Sequence, residues 1–115
     1  MSNIRYDDVG DDLRRIFISG RLDMTGTNSI SARLVELVGA PKKAVVVDLT
    51  DVQFLASVGL GTLIASAKAV AGRGGKMALV VDKSSPVMMS LEVTGINALI
   101  PIYKTVADAE SAIRR

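Results

Sequence analysis

The sequence predicts an α/β fold with a mixed central sheet and the element order β-β-α-β-α-β-α-β-α. After a predicted hairpin, strand-like and helix-like segments alternate to the end of the chain, which is typical of parallel strands joined by right-handed crossovers. The strand-like segments 44–48 and 77–82 each contain a continuous apolar run that ends in an aspartate, which indicates strands buried on both faces. With 115 residues and no linker, we expect one domain over 1–115.

The first two strands are predicted at 3–8 and 13–19. In the second, Ile16 and Ile18 alternate with less apolar positions, and the intervening Gly10-Asp11-Asp12 favours a tight turn. These two segments therefore form the antiparallel hairpin that precedes the alternating part of the chain.

The first helix is predicted at 28–38, after a loop with the sequence GRLDMTG. Thr25 or Thr27 is the expected N-cap, because a threonine hydroxyl can accept from a free amide of the first turn. Gly39 and Pro41 end the helix.

The second helix is expected to begin at Ser57 and to continue to about Val70. The simplest interpretation of Ser57 is an N-cap that accepts from the amide of Gly59 or Leu60. A phosphate on Ser57 is the minority alternative, because free amides and the helix dipole favour an anion there.

The last elements are a short helix, a strand and a final helix. Ser84 or Ser85 caps the third helix, which Gly95 closes. The segment ALIPIY is the last strand, and Thr105 caps a helix that reaches the final arginines.

The composition excludes several classes of chemistry. The chain has no cysteine and no histidine, so disulfides, thiolate catalysis and a histidine base or metal ligand are absent. The net charge of +2 and 3% aromatic content give no basis for direct nucleic-acid binding. The N-terminus does not resemble a signal peptide, and the uncharged run 52–67 is too short for a membrane span, so we expect a cytoplasmic protein.

No nucleotide, metal or catalytic motif is complete. GLGTLI departs from the dinucleotide fingerprint at Ile64, and GRGGKM departs from the P-loop at Val70 and Met77. The aspartates near the first turn suit a solvated loop better than a metal site. Ser57 has no histidine to activate it as a nucleophile. We therefore expect no enzyme activity, no cofactor and no metal.

Three segments resemble the STAS domain of the anti-sigma-factor antagonist family. VVVDLTDVQFLASVGLGTLI is similar to the family's central signature, a buried strand followed by Asp-Ser-Ser-Gly-Leu and a helix. GRLDMTG is similar to the family's Gly-x-Leu-Asp loop, and EVTGINALIPIYKTVADAESAI is similar to its C-terminal pattern. The resemblance covers nearly the whole chain, but Ala56 replaces the family's aspartate and Val58 its second serine.

The resemblance implies a regulatory protein that switches partners. Its partners are a serine protein kinase acting as an anti-sigma factor, which phosphorylates the signature serine, and a phosphatase that resets it. By position the phosphorylated residue is Ser57, and Asp23 is expected close to it. The implied partner-binding residues are Asp23, Met24, Ala56, Val58, Gly59, Leu60 and Gly61.

Two other functions remain as alternatives. One is a STAS accessory module of a membrane transporter or lipid-transport assembly, in which the same surface docks a partner without phosphorylation and Ser57 is only a cap. The other is a small nucleotide-binding or hydrolytic α/β protein, against which the incomplete motifs and the missing histidine count.

Overall fold

The computed structural model describes residues 2–114, and its frame is a mixed sheet. Within that range the sheet has five strands in the order β1-β2-β3-β4-β5, with β1 antiparallel to β2 and the other neighbouring pairs parallel. The strands are β1 (Asn3–Val9), β2 (Leu13–Leu22), β3 (Ala44–Leu55), β4 (Lys76–Val80) and β5 (Ile102–Tyr103). This confirms the predicted mixed sheet.

Helices follow every strand after the hairpin. They are α1 (Met24–Val38), α2 (Ser57–Gly72), α3 (Pro86–Thr94) and α4 (Val106–Ile113), with a 3₁₀ turn at Ile96–Ala98 before β5. The order of strands and α-helices is the predicted one.

The core lies on both faces of the sheet, because side chains alternate along β3. Val45 and Val47 pack with residues of α1, α2 and α3. Ala44 and Val46 pack against α4 on the opposite face. All four side chains are buried. The apolar run at the start of β3 therefore has the two-sided burial that its lack of alternation predicted.

Strands β2 and β3 are longer than predicted, ending at Leu22 and Leu55 instead of positions 19 and 48. Their last residues mix exposed and buried positions, as at Arg21 and Leu22. The polar positions interrupted the apolar pattern, so the prediction stopped too early. By contrast, β4 ends at Val80 and β5 contains two residues, both shorter than predicted.

Helix α1 begins at Met24, four residues before its predicted start. Its N-cap is Asp23, whose Oδ1 accepts from the Gly26 amide at 2.8 Å, so the assignment of Thr25 or Thr27 was wrong. The segment GRLDMTG is not a loop, because β2 passes into α1 through Asp23 alone.

The caps of the last two helices agree with the sequence. The Ser85 hydroxyl accepts from the Val87 amide at 3.1 Å, and Gly95 ends α3 with φ of 75°. The Thr105 hydroxyl accepts from the Asp108 amide at 3.1 Å at the start of α4.

Candidate functional site

The ends of β2 and β3 bring Asp23 and Ser57 to one edge of the sheet. Leu22 pairs with Leu55 in the parallel register, and the Ala56 amide donates to the Leu22 carbonyl oxygen at 3.0 Å. Asp23 and Ser57 each follow one partner of that hydrogen bond. The first turns of α1 and α2 are therefore neighbours, which agrees with the expectation that Asp23 lies close to Ser57.

Ser57 is the first residue of α2 and not its cap. The N-cap is Ala56, which has no side-chain oxygen, and the helix begins without a side-chain capping bond. The expectation that Ser57 caps the helix is therefore wrong. Its side chain is exposed and makes no hydrogen bond within the described range, so its hydroxyl is accessible.

The start of α2 favours an anion because its amides lack a side-chain acceptor. The first amides of an α-helix have no partner inside the helix, and the helix dipole places partial positive charge there. Ala56 supplies no side-chain oxygen to the α2 amides, whereas Asp23 does so for α1. A negatively charged group on Ser57 would lie beside these amides.

An arginine and a phenylalanine flank this edge on the strand side. The Arg21 guanidinium lies over the Phe54 ring, 4.6 Å from its centroid. Its Nε is 3.8 Å from Asp23 Oδ2, which is an ion pair longer than a hydrogen bond. Neither Arg21 nor Phe54 was predicted as a site residue. In the sequence they are marked by nothing more than their positions shortly before Asp23 and Ser57.

The two glycines near the start of α2, Gly59 and Gly61, have different surroundings. A Cβ on Gly59 would lie 2.7 Å from Leu55 Cδ1 and 3.2 Å from Leu22 Cβ, so this buried glycine lets α2 pack against the strand ends. A Cβ on Gly61 would meet nothing within 4 Å, and Gly61 is exposed. Gly61 therefore leaves bare backbone accessible to a partner, whereas Gly59 does not.

An apolar groove of about 640 Å³ runs between α1 and α2. Val58 and Gly61 form its end beside Ser57, and Val35, which is 65% exposed, lies on the opposite wall. The groove has no charged lining residue: Ser31, Val35, Val38, Gly39, Val58, Gly61, Thr62, Ala65, Ser66 and Ala69.

The other predicted partner-binding residues divide by exposure. Met24 is 68% exposed at the start of α1, and Asp23 and Ala56 are half-buried. Leu60 is buried, with 8% of its surface exposed, and packs into the core. Met24, Asp23, Ala56, Val58 and Gly61 are thus the members with accessible surface.

The structure offers neither a metal cluster nor a membrane span in the part of the chain that it describes. No three histidine, cysteine, aspartate or glutamate side chains are grouped so that they could hold an ion. No helix is both long enough and apolar enough to pass through a bilayer.

Comparison with known proteins identifies similar chains. The family model described as STAS domain matches residues 7–109. An anti-sigma F factor antagonist of Paenibacillus polymyxa is 30% identical, over 80% of this chain and 79% of its own. The anti-sigma-F factor antagonist RsfB of Mycobacterium tuberculosis is 29% identical, over 84% and 78%. A solved anti-sigma factor antagonist from Mycobacterium paratuberculosis superposes with a TM-score of 0.89 and 27% identity, covering 100% of this chain and 96% of that one.

Proposed function

The chain belongs to the STAS domain family, and we propose that it is an anti-sigma-factor antagonist controlled by phosphorylation of Ser57. In this proposal the unmodified protein binds an anti-sigma factor, and the phosphorylated protein releases it. The observation that carries the proposal is the accessible Ser57 hydroxyl at the first position of α2, beside Asp23. The names of the relatives supply the class of partner.

The anti-sigma factor is proposed to be a serine kinase, and a phosphatase returns Ser57 to the free hydroxyl. A kinase needs a hydroxyl that can enter its active site, and Ser57 is exposed and unbonded within the described chain. The product is also compatible with the fold, since a phosphate at the first turn of α2 faces amides that no side chain caps. The protein itself performs no chemistry in this scheme.

The proposed partner surface joins the first turn of α2 to the groove between α1 and α2. Met24, Val58 and Gly61 supply apolar or bare surface, and Asp23 and Ala56 border Ser57. Gly59 and Leu60 contribute to this surface indirectly. They are buried, and their packing sets how closely α2 approaches the strand ends.

Release follows from the apolar character of the groove and of the start of α2. Helix α2 has no charged residue before Lys68, and the groove is lined without charge. A phosphate brings nearly two negative charges to its edge. Burying such a strongly hydrated group against an apolar partner surface is costly even when one cation lies nearby, so affinity falls by about tenfold or more.

The accessory-module alternative has one observation in its favour. Ala56 and Val58 make both neighbours of Ser57 apolar, so the same surface can dock a partner with Ser57 unmodified. In that function the partner is part of a membrane assembly, and a charge on Ser57 has no physiological role.

The test begins with protein isolated from its native cells. Intact-mass and peptide analysis is expected to find a phosphate on Ser57, and affinity capture with unmodified protein is expected to retain a kinase-type anti-sigma factor. Recovery of a transporter component, with Ser57 unmodified under all growth conditions, would overturn the proposal and support the alternative.

A further inference from the structure

We propose that Arg21 is the counter-charge for a phosphate on Ser57, and that it exchanges its ion pair with Asp23 for one with the phosphate. The inference rests on the proposed function, because it concerns the state in which Ser57 is phosphorylated. It assigns a positioning role to a residue outside the signature that contains the serine.

The Arg21 guanidinium is held in position but donates no hydrogen bond in the described structure. It lies on the Phe54 ring, and stacking leaves the N–H groups at its edge free to donate. Its distance of 3.8 Å to Asp23 exceeds that of a hydrogen bond, and both side chains are about half exposed. No hydrogen bond of the Arg21 side chain occurs among residues 2–114, so its planar set of donors is available for an oxyanion.

The backbone at Arg21 is fixed in place. Its carbonyl oxygen accepts from the Ser2 hydroxyl at 2.6 Å. A Cβ on Gly26 would lie 1.8 Å from the same oxygen, so the first turn of α1 packs directly on it. The pairing of β2 with β3 also shifts register between Gly20 and Arg21, which places Arg21 opposite Phe54.

The register places this guanidinium on the strand side of Ser57. Arg21 pairs with Phe54, three residues before Ser57, and the ladder continues to the hydrogen bond between Ala56 and Leu22. In this proposal a phosphate on Ser57 lies between the α2 amides and the Arg21 guanidinium, which turns toward it from the end of β2. The charged side chains that these strand ends bring to this edge are Arg21 and Asp23, and α2 adds none before Lys68.

The exchange leaves the cap of α1 intact. Asp23 caps α1 through Oδ1, which accepts from Gly26, while the longer contact to Arg21 uses Oδ2. Arg21 can therefore move to the phosphate without loss of the capping bond. In that position the Arg21 guanidinium lies between the Asp23 carboxylate and the phosphate, and its positive charge offsets their repulsion.

Arg21 differs from the arginines already held by carboxylates. Arg14 donates to Asp8 at 2.7 Å, and Arg15 donates to Asp7 at 2.6 Å. Arg5 resembles Arg21, because it stacks on Phe17 at 4.2 Å and has no carboxylate partner in the described structure. Arg5 lies on the outer strand of the hairpin, away from the strand ends, and is the matched control.

The test uses protein with phosphoserine incorporated at position 57 during translation, and it measures the second pKa of that phosphate by ³¹P NMR titration. Arg21→Gln is expected to raise the pKa by about half a unit, since a nearby cation favours the dianion. Asp23→Asn is expected to lower it while keeping the cap, and Arg21→Lys is expected to restore part of the shift. Arg5→Gln is expected to leave the pKa unchanged.

Equal pKa values for the Arg21→Gln and Arg5→Gln proteins would overturn the inference. The amide spectra of the unphosphorylated variants report whether each one is folded. If Arg21→Gln is not folded, Arg21→Lys takes its place in the comparison with Arg5→Gln. No kinase or partner enters the experiment. A native protein without phosphate on Ser57 would refute the proposed function and would not alter this result.

Discussion

Asp23 and Ala56 occupy equivalent positions at the ends of neighbouring parallel strands, and each is the N-cap residue of the helix that follows. Asp23 bonds the amide of Gly26, whereas Ala56 provides no side-chain acceptor to α2. The two helices that form the proposed site therefore begin differently, one with its carboxylate cap and one with free amides next to Ser57.

Ala56→Asp is predicted to stabilise the protein. An aspartate at the N-cap accepts from the α2 amides and complements the helix dipole, which contributes about 1 kcal/mol. For a chain of this size the melting temperature rises by about 4 °C. Calorimetry measures the melting temperature. Asp23→Ala removes the cap of α1 and is the control, expected to lower the melting temperature by about as much. An unchanged or lower melting temperature for Ala56→Asp would show that α2 does not need a side-chain cap.

Gly59→Ala is predicted to destabilise the protein by about 1–3 kcal/mol, because its Cβ would press on Leu55 and Leu22. Gly61→Ala is the matched control on the same helix. Its Cβ meets nothing, so the higher helix propensity of alanine gives a gain of about 0.5–1 kcal/mol. Denaturant unfolding of both variants checks the signs. The same sign for both would refute the close packing at Gly59.

Gly61→Ala is also predicted to weaken binding of the anti-sigma factor, although it stabilises the fold. The added methyl projects from the wall of the groove that we propose as partner surface. Gly72→Ala is the control, since its Cβ also meets nothing and Gly72 ends α2, outside the groove lining. Calorimetric titration of both variants with the captured partner compares them. Equal affinities would exclude the groove from the interface.

Asp8 is predicted to make stability depend on pH. Its hydrogen bonds to Arg14 lower the pKa of the Asp8 carboxyl, and Arg14 also donates to the Leu37 carbonyl, which links the hairpin to α1. Because the pKa is lowered on folding, the contribution is present above the unfolded pKa of about 3.9 and is lost as pH falls through the folded value.

Asp8→Asn is therefore expected to lower the free energy of unfolding by about 1 kcal/mol at pH 7. The effect is small because Asp8 is partly exposed and water screens its pair with Arg14. The difference from the native sequence is expected to shrink below about pH 4. Urea unfolding across this pH range measures the difference in free energy of unfolding. Asp11→Asn is the control, because Asp11 is a turn carboxylate that forms no ion pair in the described structure. A difference independent of pH would contradict the assignment.

Apolar patterning was sufficient to predict the sheet interior and the element order. Residues 44–47 are buried on the two faces of the sheet, so their apolar pattern is unbroken and easily recognised. Ser85 and Thr105 were predictable caps because each follows a clear turn and precedes a helix.

The strand-to-helix junctions were less predictable from local pattern. At Asp23 and Ala56 the chain passes from strand to helix within one residue, which leaves no loop composition to mark the boundary. Arg21 and Phe54 were missed for a related reason. Their contact depends on the pairing register of β2 with β3, which is a long-range property that neither segment encodes alone.

The central claim, that phosphate on Ser57 switches partner binding, is tested by calorimetric titration of the captured anti-sigma factor with three proteins. Unmodified protein and Ser57→Ala are predicted to bind with equal affinity and to have nearly equal stability, because Ser57 is not the cap of α2. Protein with phosphoserine at position 57 is predicted to bind about tenfold or more weakly, since the phosphate enters a mainly apolar interface. Equal affinity of the phosphorylated and unmodified proteins would contradict the account.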